Sequence, residues 1–415
     1  MKLARGVPLD IALAFDAGLP RLPTGRLALD QGTAQLEWSP DILERALAVA
    51  ALHYPPEVGL HAARTRSFDG LHGFLADALP EGWGYLVMRK RLARLGVDIA
   101  SLTPVEHLAL VGGTGRGALV FEPATTPRDE VATLDLDALA EESAILLEGE
   151  DGRLGDTLAR LAGGSGGARP KVHVGFDAAG AVSVGDGEVA PGHGAWIVKF
   201  RAPVDPVDIG PIEEAYASMA EAAGLEVSEH RLIAARRGPG YFATRRFDRP
   251  APGARLHMVS LSGAIEMPPH MPSSYDTFLR ATRAITRRAT DVVEAFRRMV
   301  FNVLAHNRDD HLRQHAYLMD AGGDWRLAPA YDLTYAPGPG GEHYLDIEGE
   351  GRAPTRAHVE ALAARHGIGA SAVAAIIEEA RAAVADWPEF ARVSGVGAAS
   401  AGLIRKAHQR TLADF

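Results

Sequence analysis

A dense block of charge and imidazole, HNRDDHLRQH, occupies residues 306–315 and contains three His, two Asp and two Arg. Within it, Asp309 is followed after four residues by Gln314. A carboxylate can accept the proton of an attacking hydroxyl group, and carboxylate and amide oxygens are hard ligands that suit Mg²⁺. One interpretation of the block is therefore an acid–base site that works beside a metal-bound substrate.

The same block supports two other interpretations. His311 and His315 stand four residues apart, so on a helix both imidazoles would lie on one face, with His306, Asp309 or Asp310 nearby to complete a metal site. Such a site would indicate a metallohydrolase, although the H-E-x-x-H pattern of many such enzymes is missing. A capped helix start with a solvated face would have much the same composition. Residues elsewhere in the chain must decide among the three.

A lysine inside an apolar segment is the next candidate. Lys199 interrupts the run AWIVKF, residues 195–200, which otherwise has the composition of a buried strand. If Lys199 is buried, its charge needs a partner, and the helical segment that follows offers Glu213 and Glu214. On an edge strand the lysine would face solvent instead, and for this residue taken alone the edge strand is the favoured interpretation.

The order of these features along the chain matches that of a protein kinase. A Gly-rich segment, GGARPK at residues 166–171, precedes the strand with Lys199 and the helix with its glutamates. In kinases a Gly-rich loop covers the phosphates and a Lys–Glu pair orients them. Asp309 and Gln314 fall at the D-x-x-x-x-N spacing of the catalytic loop, and Asp332 falls where kinases carry a metal-binding Asp. The combination favours a kinase over a structural role, and a structural role over a metallohydrolase.

Several predicted elements position these residues. Residues 1 to about 65 alternate short apolar and polar runs, which predicts a small β-rich unit. The pattern predicts a strand at 117–123, a β-hairpin over 171–187 and a helix over 211–225. A second hairpin is predicted just after the charged block, and most of the chain from about residue 270 onward has a helical pattern.

Length and composition exclude several classes of protein. The chain has 415 residues, enough for two or three domains, with 47% hydrophobic and 23% charged residues. Its net charge of −10 argues against a protein that coats nucleic acid by itself, and the absence of cysteine excludes disulfides and thiolate chemistry. We find no signal-peptide pattern and no uninterrupted apolar run of membrane-spanning length, so we expect a soluble cytoplasmic protein without membrane contact.

Seven words in the sequence resemble those of the HipA-type serine/threonine kinase toxins of bacterial toxin–antitoxin systems. They are DALPEGWG (77–84), GGTGRGALVFEP (112–123), GGARPK (166–171), WIVKF (196–200), RRFDR (245–249), NRDDHLRQHAYL (307–318) and LAPAYDL (327–333). They occur in family order across most of the chain. LPEGWG and DDHLRxHA are not general kinase words, so the resemblance is specific.

The resemblance implies an α+β, protein-kinase-like bilobal fold with an additional N-terminal subdomain. On this basis residues 1–150 form a β-rich and helical N-terminal subdomain, residues 151–249 a β-rich kinase N-lobe, and residues 250–415 a mainly helical C-terminal lobe. It also implies ATP and Mg²⁺ as cofactors, and transfer of the γ-phosphoryl group to a serine or threonine of a protein, with an aminoacyl-tRNA synthetase as one candidate. A helix-turn-helix antitoxin is the implied partner, and DNA is reached only through it.

The resemblance also assigns roles to individual residues. Asp309 matches the catalytic base, Lys199 the phosphate-contacting lysine and Asp332 a metal ligand, with Gln314 as the second metal ligand. Counted back from Gly224, Glu213 matches the helix glutamate best, and Glu214 is the alternative. The predicted nucleotide-binding residues are Gly166, Gly167, Ala168, Arg169, Lys171, Lys199, Glu213, Arg245, Arg246, Phe247, His311, Gln314, Tyr331 and Asp332.

Three positions depart from the family pattern. Gln314 replaces the family's Asn, which leaves a carbonyl ligand but on a longer side chain. Arg308 replaces a small Thr, and a cation beside the base predicts a lowered pKa for Asp309. The serine that the family autophosphorylates falls on Gly164, with Ser165 one place away. Ser165 is therefore the remaining candidate for autophosphorylation. Gln314 and Arg308 keep a second hypothesis open, namely a weak or inactive kinase-like module that binds nucleotide or antitoxin.

Overall fold

The N-terminal part of the chain forms a five-stranded sheet. The computed structural model describes residues 6–125, 134–150, 153–162, 164, 166–184 and 189–415. The first elements are β1 (Leu9–Leu13), β2 (Leu22–Asp30), β3 (Thr33–Trp38), α1 (Pro40–Arg45), β4 (Leu60–Ala62), α2 (Gly73–Ala76), α3 (Trp83–Arg94), α4 (Pro104–Val111) and β5 (Leu119–Glu122). The antiparallel order β4-β3-β2-β1-β5 confirms the predicted β-rich unit and the predicted strand at 117–123.

A second five-stranded antiparallel sheet follows. Its region contains α5 (Leu136–Leu147), α6 (Gly155–Ala162), β6 (Lys171–Phe176), β7 (Val182–Val184), β8 (Gly194–Lys199), α7 (Ile209–Ala222), β9 (His230–Ile233) and β10 (Tyr241–Arg245). The order is β7-β6-β8-β10-β9. The predicted hairpin over 171–187 is the β6–β7 pair, although residues 185–188 lie outside the described residues. Because β8 is the central strand, the edge-strand interpretation of Lys199 is wrong, and its side chain is buried.

The remaining chain is mainly helical, as predicted. It contains β11 (His257–Ser260), α8 (Leu261–Ala264), β12 (Ser273–Ser274), α9 (Tyr275–Thr286), α10 (Ala289–Leu304), β13 (Ala316–Met319), β14 (Trp325–Leu327), β15 (Leu345–Asp346), α11 (Arg356–Arg365), α12 (Ala370–Ala385), α13 (Trp387–Ser394) and α14 (Ala398–Leu412). The predicted second hairpin is the antiparallel β13–β14 pair. The sequence pattern missed β11, which pairs with the other edge of β13.

Two helices illustrate how local sequence sets the boundaries of an element. At the start of α4, the Thr103 hydroxyl accepts a hydrogen bond from the Glu106 backbone N–H, and the Glu106 carboxylate accepts one from the Thr103 backbone N–H. At the end of α7, Gly224 adopts a φ of 79°, a left-handed conformation that glycine enters without steric cost. Local side-chain and backbone chemistry thus fixes where each helix begins or ends.

Hydrophobic packing crosses the predicted domain boundaries. One cluster of buried side chains runs from Leu9 in β1 to Ile404 in α14 and includes Ile212 of α7. A second cluster packs Trp83 of α3 against Trp196 of β8. The division at residues 150 and 249 therefore stays a prediction, because the packing of the core does not follow it.

Candidate active site

A cavity of about 500 Å³ lies between the second sheet and the loops around β13. Its size falls within the range of small-molecule and cofactor sites. The residues that line it are Glu81, Gly82, Arg116, Gly166, Gly167, Ala168, Arg169, Lys171, His173, Ile197, Lys199, Thr244, Arg245, Arg246, Phe247, Asp248, Met258, Pro269, His270, Asp309, His311, Arg313, Gln314, Tyr331 and Asp332. Of the described residues predicted to form the site, all except Glu213 line this cavity.

Lys199 bonds to two carboxylates at the cavity wall. Its Nζ donates to Glu213 Oε1 at 2.7 Å and to Asp332 Oδ1 at 2.5 Å. Burial alone would lower the pKa of Lys199, but the two carboxylates override burial and raise it above the ordinary value. Glu213 lies behind the lysine on α7, whereas Glu214 accepts from His230 Nδ1 at 3.0 Å. Glu213 is thus the partner of Lys199, and Glu214 is not.

Asp332 bonds to Lys199 and to the predicted second metal ligand. Its second carboxylate oxygen, Oδ2, accepts from Gln314 Nε2 at 3.1 Å. Although burial opposes ionisation, the nearby Lys199 and Lys171 hold the pKa of Asp332 well below its usual range. The residue also adopts a φ of 57°, a left-handed backbone conformation that is uncommon outside glycine. Asp332 is therefore a charged carboxylate in a constrained position.

Asp309 faces the same cavity with a half-buried side chain, 38% exposed. Burial and the negative charge of Asp332 raise its pKa to about 6, and Arg169 opposes them only in part. The lowered pKa predicted from Arg308 is wrong. The Arg308 guanidinium turns to loop carbonyls instead, donating to Gly341 O at 2.5 Å and to the carbonyl of Arg352 at 2.8 Å.

His311 and His315 do not form the predicted pair on one helix face. Residues 312–314 form a single 3₁₀ turn, with His311 at its N-cap and His315 in extended conformation. His315 is fully buried and stacks on Phe278, with ring centroids 4.0 Å apart. Burial also lowers the pKa of His311 to about 4, so its imidazole is neutral beside Asp309 at physiological pH. The helix on which the metal interpretation depended is not formed.

The Gly-rich segment forms one rim of the cavity. Lys171 Nζ donates to the carbonyl of Gly166 at 2.7 Å, and Arg169 donates to both carboxylate oxygens of Asp205 at 3.0 and 3.1 Å. Burial lowers the pKa of Lys171 to about 8, despite the nearby carboxylates. Gly164 is described, but Ser165, the predicted autophosphorylation candidate, lies outside the described residues.

The N-terminal part of the chain packs directly on this rim. The backbone N–H of Trp83 donates to the carbonyl of Gly167 at 3.0 Å. Gly82 adopts a φ of 47°, and a Cβ at that position would lie 2.4 Å from the same carbonyl oxygen. Only glycine fits this close approach without displacing the rim.

The predicted hinge, residues 245–247, closes the opposite side of the cavity. The Arg246 guanidinium donates to both carboxylate oxygens of Asp248, at 3.0 and 2.8 Å, so its charge is already paired. Phe247 and Tyr331 lie with ring centroids 5.4 Å apart, and both pack beside Met258. This apolar patch provides a surface on which a flat ring can stack.

The sequence interpretation missed several cavity residues. They are Glu81, Gly82, Arg116, His173, Ile197, Thr244, Asp248, Met258, Pro269 and His270. Glu81, Gly82 and Arg116 belong to the words LPEGWG and GGTGRG, which carried the resemblance but received no role at the site. Their position in the first 150 residues concealed their proximity to a loop some 50 to 85 residues further along.

The donor set fits the implied metal. The carboxylates of Asp309 and Asp332 and the side-chain amide of Gln314 face one cavity. Carboxylate and amide oxygens are the hard ligands that Mg²⁺ prefers, and Mg²⁺ commonly takes its remaining ligands from phosphates and water. Among the described residues, no cluster of three or more His, Cys, Asp or Glu side chains has the arrangement of an all-protein metal site.

The fold is a mixed α+β fold with an N-terminal β-sheet subdomain and a kinase-like body, as predicted. Residues 16–122 match the HipA N-terminal domain, and residues 163–387, more than half of the chain, match the HipA-like C-terminal domain. The chain therefore belongs to the HipA family.

Two similar proteins extend the comparison. The HipA chain of the Shewanella oneidensis MR-1 toxin–antitoxin system, solved with HipB and operator DNA, has a TM-score of 0.68 and 18% identity, covering 98% of this chain and 96% of that one. The protein Y4mE of Sinorhizobium fredii, provisionally named a kinase, is 31% identical over 126 residues. That match spans 28% of this chain and only 30% of Y4mE. In the part of the chain that the structure describes, no helix is long and apolar enough to span a membrane.

Proposed function

We propose that this protein is an ATP- and Mg²⁺-dependent serine/threonine protein kinase that acts as the toxin of a toxin–antitoxin system. The observation that carries the proposal is the arrangement of Lys199 between Glu213 and Asp332, with Asp309 facing the same cavity. A buried Lys–Glu pair beside an acidic metal ligand and a separate carboxylate base is the constellation that protein kinases use for phosphoryl transfer.

Each group has a role that follows from its position. The Gly-rich rim and Lys171 bind the phosphates of ATP. The Phe247–Tyr331 patch stacks against its adenine ring. Lys199, held by Glu213, orients the phosphates for in-line attack. Mg²⁺ held by Asp332 and Gln314 would neutralise charge on the transferred phosphoryl group.

Asp309 is the proposed general base. With a pKa of about 6 it is mostly ionised at neutral pH, yet basic enough to accept a proton from an attacking hydroxyl group. Its half-buried side chain leaves an approach for a serine or threonine of a protein substrate. An aminoacyl-tRNA synthetase is one candidate substrate, on the basis of the family resemblance alone.

The proposed partner is a helix-turn-helix antitoxin, which would connect this chain to operator DNA. The similar Shewanella HipA chain was solved together with HipB and operator DNA, which supports such a partner. The net charge of −10 supports DNA contact through the antitoxin rather than by this chain directly.

The test is phosphoryl transfer from γ-labelled ATP to proteins of a cell lysate, with wild type compared with Asp309→Asn. We expect labelled serine or threonine in a lysate protein, and a 100- to 10,000-fold loss in the variant. Absence of transfer that depends on Asp309 would contradict the proposal.

The same experiment tests the alternative, a kinase-like binding module. The observation that favours this alternative is Gln314, whose amide nitrogen bonds to Asp332 where the family has the shorter Asn. Tight ATP binding without turnover in wild type, and turnover restored by Gln314→Asn, would support it.

A further inference from the structure

Two cations at the Gly-rich rim, Arg116 and Lys171, donate hydrogen bonds to backbone carbonyls and, within the described residues, to no other group. Arg116, in the loop between α4 and β5, donates from Nη2 to the carbonyl of Asp77 at 2.6 Å. Lys171 donates to the carbonyl of Gly166 at 2.7 Å. Within the described residues, neither side chain forms an ion pair with a carboxylate, and both line the same cavity.

Arg116 contacts the segment of residues 77–81, and the two carboxylates of that segment are already used by other groups. The Asp77 carboxylate accepts from the Ser260 backbone N–H at 2.6 Å and from the Ser260 hydroxyl at 2.7 Å. The Glu81 carboxylate pairs with Arg313. Among the described residues, Arg116 therefore presents a positive charge to the cavity with no carboxylate paired to it.

The two cations approach neighbouring residues that have no side chains, Gly166 and Gly167. A Cβ placed on Gly166 would lie 3.2 to 3.5 Å from the Arg116 guanidinium, and one on Gly167 would lie 3.0 Å from Lys171 Nζ. The positive charge of Arg116 is also one of the influences that lower the pKa of Lys171. In addition, Nε of Arg116 is buried and has no hydrogen-bond partner. Two neighbouring cations that have no hydrogen-bonded carboxylate are typical of a site for a multiply charged anion.

The loop that carries Arg116 is attached firmly to the hinge. The backbone N–H of Gly117 donates to Asp248 Oδ2 at 2.8 Å, and Arg249 donates to the carbonyls of Gly115 and Gly117 at 3.1 and 2.8 Å. Asp248 and Arg249 are themselves paired at 2.8 Å. These buried bonds on both neighbours of Arg116 hold its backbone in place.

We propose that Arg116 is a phosphate-binding residue that the N-terminal subdomain contributes to the nucleotide site, where it and Lys171 clamp the polyphosphate of a nucleoside triphosphate. This inference deepens the proposed function, because it depends on a nucleotide in the cavity. It also makes the N-terminal subdomain part of the binding site instead of a separate attachment. Phosphate binding would thereby draw the α4–β5 loop and the Gly-rich rim together.

The test measures binding and not catalysis. The affinities of a non-hydrolysable ATP analogue with Mg²⁺ and of adenosine are measured by calorimetry for wild type, Arg116→Met, Arg116→Lys and the exposed control Arg45→Met. We expect Arg116→Met to weaken analogue binding roughly tenfold or more while adenosine binding changes less than about twofold. The affinity of Arg116→Lys for the analogue should lie between those of wild type and Arg116→Met, because lysine keeps the charge but lacks the planar guanidinium. Arg45→Met should match wild type.

Adenosine is the internal control for folding, because a damaged site would lose both ligands. Equal losses for adenosine and the analogue, or no loss for either, would overturn the clamp. Its failure is distinct from that of the proposed function. A wild type that binds the analogue more tightly than adenosine but transfers no phosphate would contradict the kinase proposal, while the difference between Arg116→Met and wild type would still support the clamp.

Discussion

Lys171 and Lys199 are the same residue type in equivalent positions, yet their surroundings differ. They face each other as cross-strand partners on β6 and β8, and each is 9% exposed. Lys199 bonds to two carboxylates, and their charges raise its pKa. Lys171 bonds to a carbonyl, and burial lowers its pKa to about 8.

The difference shows that burial alone does not decide the direction in which the pKa of a lysine changes. With equal burial, the presence or absence of a bonded counter-charge reverses the direction of the pKa change. Lys199 is stabilised by the protein itself and can orient a ligand. Lys171 has its counter-charge supplied by the ligand in our account, since an anion at the Gly-rich rim would complete its surroundings.

The largest predicted effect comes from removing Lys199, the lysine whose charge is paired with two carboxylates. Lys199→Met leaves the buried carboxylate of Glu213 and the half-buried one of Asp332 without their partner, which should lower the free energy of unfolding by about 3 kcal/mol. Phosphoryl transfer should be lost as well. Urea unfolding at pH 7 measures the first effect, and a loss below about 1 kcal/mol would show that the pair does not stabilise the fold.

Glu213 is the carboxylate that distinguishes the surroundings of Lys199 from those of Lys171. Glu213→Gln should lower kcat about 100-fold, because Lys199 loses the group that orients it. The matched control is Glu214→Gln, which removes only the bond to His230 and should change kcat by no more than about twofold. Steady-state kinetics on both variants tests this, and equal effects would mean that the helix glutamate is not specific to Lys199.

The pH dependence of turnover tests the role of Asp309, which faces the same cavity. Asp309 must be ionised to accept a proton, and its pKa is raised to about 6. The value of kcat/KM should therefore rise about tenfold per pH unit below pH 6 and level off above it. A profile that stays flat down to pH 5 would exclude Asp309 as the base that limits the reaction.

The smallest predicted effect is the change in the free energy of unfolding when Lys171, which has no bonded carboxylate among the described residues, is removed. Its folded-state pKa lies below the ordinary value of 10.5, so the unfolded chain binds more protons between about pH 8 and 10.5. Burying the charged lysine thus costs stability below pH 8, and this cost disappears as the pH rises through that window. Lys171→Met should match or exceed wild-type stability by about 1 kcal/mol at pH 7, and the gap should narrow by pH 10.

Urea unfolding of both proteins between pH 7 and 10 measures that gap. A variant as destabilised as Lys199→Met would contradict the contrast between the two lysines. Together, Lys199→Met and Lys171→Met test whether the charge of each lysine serves the stability of the fold or the binding of the ligand.

The sequence predicted those parts of the site that depend on residue type and order. A lysine in an apolar strand requires a partner, and the helix after the strand supplied Glu213, as the structure confirms. The hairpins and the N-terminal β-rich unit followed from short-range patterns. These features depend on local chemistry, which a single chain displays directly.

Other features depend on contacts between distant segments and could not be predicted. Strand order decides whether β8 is central, and no local pattern encodes it. Arg308 turns away from Asp309 because loop carbonyls more than 30 residues further on accept its hydrogen bonds. Arg116 reaches the Gly-rich rim only because the N-terminal subdomain packs there.

The most direct test of the account is the titration of Lys171 with and without a nucleotide. The chain contains five lysines, so ¹³C labelling at Cε gives a simple NMR spectrum, and Lys171→Met assigns the relevant signal. Without nucleotide we predict a pKa of about 8 for Lys171. Saturation with a non-hydrolysable ATP analogue and Mg²⁺ should raise it towards the ordinary 10.5, whereas adenosine should leave it unchanged. An identical titration of Lys171 with and without the analogue would contradict the claim that this cavity binds the phosphates of a nucleotide.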